Sequence, residues 1–378
     1  MDSFLKRHRF FIILESAAVV LIAVLMLWES SLVGTLSSQK AAARWQKSGR
    51  YAQISAFFAA GHGMDENAVY TLRTAVNSAL TQASITAPTD SARLWYDAYS
   101  AETSLSAATF RASVNAAVTA VGGDFFRIHP LPLESGWYFS DSDITQDRVL
   151  LDTVAAWQLF GSYDVAGMEV TIAGRPFVVA GVVSPEPDRY TSRAYGEAPR
   201  IYMSYVTLSD YQQTELTCYE AVLPDPVTGF AQNLLAKQLP VSESYRQIIE
   251  NSARFTFSGL LALLKDFAAS RMVSVPVVYP YWENAARMLE IHAVLLQLAW
   301  MVLCIVPITG IVVITVRLWK GRRLHFKDIP DYYERAREFF NEKRLAWKEK
   351  QAQKPSRKKG KEKLPEDLKE TEHEESTL

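Results

Sequence analysis

Cysteine is nearly absent from the chain: Cys218 and Cys304 are the only two in 378 residues. A pair this sparse cannot make a disulfide framework, and Cys304 falls inside a long apolar run while Cys218 does not, so the two are expected to stay unpaired. Catalytic and metal signatures are missing as well. His62, His129 and His292 lie far apart, with no His or Cys at metal-ligand spacing. No G-x-x-x-x-G-K-[ST] loop is present to cradle a nucleotide, and no G-x-S-x-G elbow to present a nucleophile. A formal net charge of -1 gives no global attraction to nucleic acid. No period of 20–50 residues repeats. The expectation is a non-enzymatic protein with no catalytic, cofactor or metal residues and no nucleic-acid partner.

What the chain does have is two long apolar stretches. A bilayer core of roughly 30 Å needs about 20 apolar residues of helix, and both Phe10–Trp28 and Ala293–Val316 meet that length. His292 and Arg317 frame the second. The first contains Glu15, near enough to the basic end for its carboxylate to snorkel. Lys6, Arg7, His8 and Arg9 resemble the basic start of a secretion signal, but the apolar run is longer than a signal core, and an anchor is the reading preferred. Pro307 and Gly310 mark a kink or a close helix contact in the second span.

Lys6, Arg7 and Arg9 precede the first span, and Arg317, Lys320, Arg322, Arg323 and Lys327 follow the second. The positive-inside bias then sets both termini in the cytoplasm and residues 29–290 outside, in the plasma membrane. The expected order is a basic cytoplasmic terminus (1–9), a transmembrane helix (10–28), the outer domain (29–290) and a second transmembrane helix (293–316). A basic segment with an amphipathic helix (317–350) and a disordered charged tail (351–378) complete it.

The outer segment reads as mixed α and β. Asp65–Ser84 carries Ala68, Val69, Leu72, Val76 and Leu80 at helical spacing, with Asp65 or Glu66 suited to its first turn. Phe110–Val121 and Arg148–Val154 are runs of small or β-branched residues, and Ala155–Phe160 is a short helix closed by Gly161. Met168–Ile172 and Pro176–Val183 flank Ala173-Gly174-Arg175, a hairpin turn, and Pro185-Glu186-Pro187 ends the pair. Arg200–Tyr205 and Tyr219–Leu223 read as strands. Pro224-Asp225-Pro226 turns into a helix at Val227–Gln238, and a long helical segment is expected at Glu243–Leu264. Irregular alternation of these signals favours α+β over a doubly wound parallel sheet.

Val121-Gly122-Gly123-Asp124-Phe125-Phe126, Gly136-Trp137-Tyr138-Phe139 and Asp143 begin an ordered series. It continues through Leu159-Phe160-Gly161, Val165-Ala166-Gly167-Met168 and Gly174-Arg175-Pro176-Phe177-Val178-Val179-Ala180-Gly181-Val182-Val183 to Arg200-Ile201-Tyr202-Met203. The series resembles the periplasmic core domain of MacB/FtsX-like ABC transporter permeases. That resemblance implies a two-lobed outer domain between the first two spans, a separate cytoplasmic ATPase, and a homodimer or a fuller permease subunit as partner. Neither a third nor a fourth span follows Val316, so the expectation is a reduced form with two spans.

Weaker features have plainer readings. Asp141, Asp143, Asp147 and Asp152 fall on calcium-loop positions, but Gln146 stands where glycine is required, which favours a solvated loop. Gly61-His62-Gly63 reads as a loop. Trp137, Tyr138 and Phe139 read as core, whereas Tyr279, Tyr281 and Trp282 read as anchors at the membrane interface. In the tail, Pro330–Lys350 has Tyr333, Ala336, Phe340 and Trp347 on one helical face, suited to membrane lipid, to a partner or to no partner at all. The leading expectation is a permease-like subunit whose outer domain serves export or mechanical coupling with a separate ATPase. The alternative is a membrane-tethered extracytoplasmic adaptor or sensor.

Overall fold

The structure, a computed structural model, describes residues 2–45, 49–87, 89, 92–141, 143–210, 212–265, 277–321 and 329–352. The chain divides into two units, Met1–Ile308 and Thr309–Leu378. The expected disordered tail lies almost wholly outside the described residues.

The first unit opens with helix α1 (Asp2–Thr35), followed by a short α2 (Ala41–Trp45) and strand β1 (Tyr51–Phe58). Then come α3 (Glu66–Gln82), the long hairpin β2 (Tyr96–Ala108) and β3 (Ser113–Gly123), α4 (Phe125–Ile128), β4 (Leu133–Gly136), β5 (Arg148–Asp152) and α5 (Thr153–Phe160). The hairpin β6 (Glu169–Ile172) and β7 (Arg175–Val183) leads through α6 (Arg189–Tyr195) to β8 (Arg200–Ser204), α7 (Tyr205–Ser209), β9 (Cys218–Pro224) and α8 (Phe230–Gln238). Next are β10 (Arg246–Glu250), α9 (Asn251–Arg254), α10 (Phe257–Lys265) and α11 (Tyr281–Leu303). Helix α12 (Ile305–Gly321) runs from the first unit into the second, which also holds α13 (Ile329–Ala352).

The ten strands among the described residues join one sheet in the order β10-β1-β9-β2-β3-β8-β5-β7-β4, with β6 hydrogen-bonded to β2 and β7. Among the described strands only β3–β8 and β5–β7 pair in parallel, which makes the domain α+β. One end of the sheet is built from strands near both ends of the domain, β1, β9 and β10. The rest comes from the chain between them.

Local chemistry explains many of the boundaries. Asp65 caps α3 by accepting from the Ala68 amide at 2.8 Å, and Val69, Leu72, Val76 and Leu80 are buried on the sheet. Asp152 caps α5 through the Ala155 amide, and Gly161 closes that helix at φ 75°. Between β6 and β7, Ala173 and Gly174 both take positive φ, 48° and 81°, as the tight turn of a twisted hairpin requires. Gly122 is needed for a different reason: a Cβ there would meet the Tyr99 ring at 2.2 Å.

The expected long helix at Glu243–Leu264 is corrected. Its first part is a 3-10 turn followed by β10, whose residues pair with β1 from Ile54↔Glu250 to Phe58↔Arg246. An open sheet edge gains a ladder of hydrogen bonds from such a strand, and tertiary pairing overrides local helix propensity. Helix returns only in α9 and α10.

Among the described residues, two stretches are long and apolar enough to cross a membrane, Phe11–Thr35 and Tyr281–Val316. Many of their large side chains are exposed, among them Phe11, Val20, Leu27, Ile308, Ile311 and Val312. The break between α11 and α12 falls at Cys304, three residues before Pro307, whose missing N–H interrupts the helical ladder.

Candidate functional site

The two faces of the sheet differ. Ile54, Ala56 and Phe58 of β1, Val118 and Ala120 of β3, and Tyr219, Ala221 and Leu223 of β9 pack with α3, α5 and α8 in one apolar core. The alternate residues of those strands point to the other side, and many are polar yet buried: Gln53, Ser55, Thr119 and Glu220, with Ser100 of β2 and Arg200 and Ser204 of β8. This second face receives α4, α6 and the start of α11.

Two buried polar chains run across it. In the first, the Asn251 amide donates to Ser55 Oγ at 2.6 Å, and Ser55 donates to Glu220 Oε1 at 2.7 Å. The other Glu220 oxygen bonds His129 Nε2, whose ring lies against Phe125 and Trp282, with centroids 4.6 and 4.4 Å away. In the second, Arg200 donates to Glu102 at 3.1 Å and Thr119 at 2.9 Å, and its guanidinium sits 4.9 Å from the Tyr195 and Tyr281 rings. The hydroxyls of Tyr202 and Tyr281 are 3.1 Å apart.

The strongest fastening is a buried ion cluster. Arg254 at the end of α9 donates from Nη1 and Nη2 to the two oxygens of Glu283, at 2.7 and 2.9 Å, and from Nε to Glu290. Glu283 and Glu290 are seven positions apart on α11, two helical turns, and so face the same way. Arg287 also donates to Glu283 at 2.7 Å and reaches Gln247 of β10 at 2.8 Å, with its guanidinium 3.9 Å from the Tyr279 ring. Burial alone would pull Arg254 down, but Glu283 and Glu290 outweigh it and its pKa is raised. Four segments therefore meet here: α9, α11, β10 and, through Gln39 Oε1 at 3.4 Å from Arg254, the residues that follow α1.

Above this cluster the first and second apolar helices run side by side. Trp300 of α11 donates to Glu29 of α1 at 2.8 Å. Leu36 joins Tyr190, Ala285, Ala286 and Leu289 in a small apolar cluster. Tyr281 and Trp282 are therefore corrected from interface anchors to core residues, 3% and 1% exposed. The physical reason is length: Tyr281–Val316 spans 36 residues, about 54 Å of helix and much more than a bilayer needs. The surplus is packed into the protein.

The other sequence candidates do not converge. Asp152 is occupied as a helix cap, Asp141 accepts from the Gly123 amide, and Asp143 accepts from the Ser140 amide at 3.1 Å. His62 stacks on Tyr245, and His292 donates from Nδ1 to the Met288 carbonyl oxygen at 2.9 Å. Among the described residues no group of His, Cys, Asp and Glu is placed to hold a metal ion. Phe139 is buried, whereas Trp137 is half exposed beneath Arg148. Sequence reasoning missed Arg254, Glu283 and Glu290. The i, i+7 acids on an otherwise apolar helical face were the available signal.

Fold and helices together define a membrane protein with an extracytoplasmic α+β domain, of the kind found as an ABC transporter permease-type subunit. Residues 16–232 match the MacB-like periplasmic core domain, and the chain belongs to that family. The macrolide export ATP-binding/permease protein MacB of Chromobacterium violaceum is 36% identical over 96 residues, 25% of this chain and 14% of that relative. The chain thus matches only a small part of that relative's length. The periplasmic region of MacB from Actinobacillus actinomycetemcomitans is 18% identical, with 53% of this chain and 89% of that one covered at a TM-score of 0.38. The extracellular domain of the noncanonic ABC-type transporter YknZ from Gram-positive bacteria is 15% identical, with 52% and 100% covered at a TM-score of 0.37.

Proposed function

We propose that the chain is a non-enzymatic subunit of an ABC-type assembly, in which a separate ATPase drives movement that reaches the outer domain through α11. The termini lie in the cytoplasm, by the positive-inside bias, and residues 29–290 lie outside. The observation that carries the reading is the clamp of Arg254 on Glu283 and Glu290. It fastens the sheet to a helix that continues toward the second apolar stretch. A bidentate guanidinium–carboxylate pair has one good geometry, so α11 cannot slide past the sheet without carrying it along. An apolar contact of the same area would tolerate such slippage.

The test is crosslinking in intact cells, followed by detergent extraction and identification of bound chains, paired with replacement of residues 293–316 by an unrelated apolar helix. Recovery of an ATPase, together with loss of function on helix replacement, is the expected result. Recovery of the chain alone, with function intact after replacement, overturns the proposal in favour of a tethered adaptor or sensor.

A further inference from the structure

We infer that α13 lies on the cytoplasmic surface of the membrane and binds anionic lipid. At 3.6 residues per turn, Phe339, Phe340 and Trp347 fall within an arc of about 100°, and they are 53%, 71% and 61% exposed. Lys343 lies within that arc, its ammonium 4.9 Å from the Phe339 ring centroid, and Arg337 and Arg344 border it. Glu334, Glu338 and Glu342 occupy an arc of about 80° on the far side. Among the residues of α13 whose side chains are described, Leu345 departs from the segregation.

A helix merely solvated on all sides has no reason to gather three aromatics with its bases and set its acids opposite. An anionic lipid surface gives that reason. Aromatic rings enter the headgroup boundary, lysine and arginine stems bury alongside them with their charges on the phosphates, and the acids stay in water. Distance agrees with this occupant. Only residues 322–328 separate α12 from α13, a reach of about 25 Å at full extension, so α13 stays beside whatever surface α12 leaves. Arg317, Lys320, Arg322, Arg323 and Lys327 add positive charge at that point. The inference rests on α12 being embedded in a membrane and is independent of any ATPase.

The test uses the full chain in lipid nanodiscs, with Cys304→Ser and the buried Cys218 retained. A fluorophore sensitive to its surroundings is placed at Phe340→Cys or, as the opposite-face control, at Glu338→Cys. In discs of phosphatidylcholine with phosphatidylglycerol, the label at 340 should shift to the blue and lose about fivefold of its accessibility to acrylamide relative to the label at 338. Adding Lys343→Gln and Arg344→Gln, or using phosphatidylcholine alone, should restore most of that accessibility. Equal accessibility of the two labels in the anionic discs overturns the inference in favour of a solvated helix. Equal protection at 340 in detergent and in both kinds of disc overturns it in favour of a protein contact or a second copy.

Discussion

The two faces of the sheet come from the same strands and both carry buried residues, yet they are filled by different chemistry. Toward α3, α5 and α8 the alternate residues are aliphatic or aromatic. On the side that receives α2, α4, α6, α9 and α11 they include Gln53, Ser55, Glu220 and Arg200, all buried. Stability does not account for the second choice, because a buried ion pair seldom outperforms a well-packed apolar replacement. What it supplies is a single register. The apolar face holds helices by area and shape, and the polar face holds α11 by directed bonds that are either made or lost.

That difference is best broken at Arg254. Arg254→Met leaves Glu283 and Glu290 buried without the guanidinium they share, with Arg287 alone still paired to Glu283, and a loss of about 3–5 kcal/mol is expected. Thermal unfolding in detergent measures it. Adding Glu283→Gln should recover a substantial part of the loss, since the largest cost is the stranded charge. Failure of the second substitution to recover anything would mean that Arg254 matters for packing rather than for charge.

The apolar face gives the matched contrast. Leu72→Ala on α3 removes a side chain that is 1% exposed and should cost about 3 kcal/mol through lost transfer energy and the cavity left behind. No second substitution of a charged residue should recover it. The same double-mutant measurement therefore separates the faces: coupling on one, simple loss on the other. Recovery of Leu72→Ala by a charge change on α11 would erase the distinction.

Much of the apolar face was legible in the sequence, because its helices carry their own punctuation. Asp65, the Val69–Leu80 spacing and Gly161 each follow from rules that act within a few residues, and the Ala173–Gly174 turn needs only local backbone chemistry. The polar face was not legible. Gln53-Ile54-Ser55-Ala56 alternates like a strand wet on one side, and nothing local says that the residues after α1 and the start of α9 cover that side. Strand β10 was hidden for the same reason: its identity depends on the open edge of β1, far away in sequence. Tyr281 and Trp282 looked like interface residues because the surplus length of the helix was counted as membrane approach rather than as buried structure.

The smallest effect expected lies at Glu186, between Pro185 and Pro187 and beside the second face. Its carboxyl is buried, one oxygen has no hydrogen-bond partner among the described residues, and burial raises its pKa above 4.5, opposed by its own amide and by His129. The sign follows from linkage. Below pH 4.5 the carboxyl is protonated in both the folded and the unfolded chain and costs nothing. As pH rises, the unfolded chain releases this proton first, so stability falls until the folded pKa is passed, and the full cost then persists at neutral pH. Glu186→Gln removes the proton equilibrium while keeping the shape. The variant should therefore unfold at a higher temperature than the parent at pH 7, and the gap should close as the pH falls below 4.5. A gap that is absent at pH 7 or reversed there would mean that the charged carboxylate is satisfied in the folded state, and the polar face would then carry less electrostatic strain than its buried, unpartnered oxygen implies.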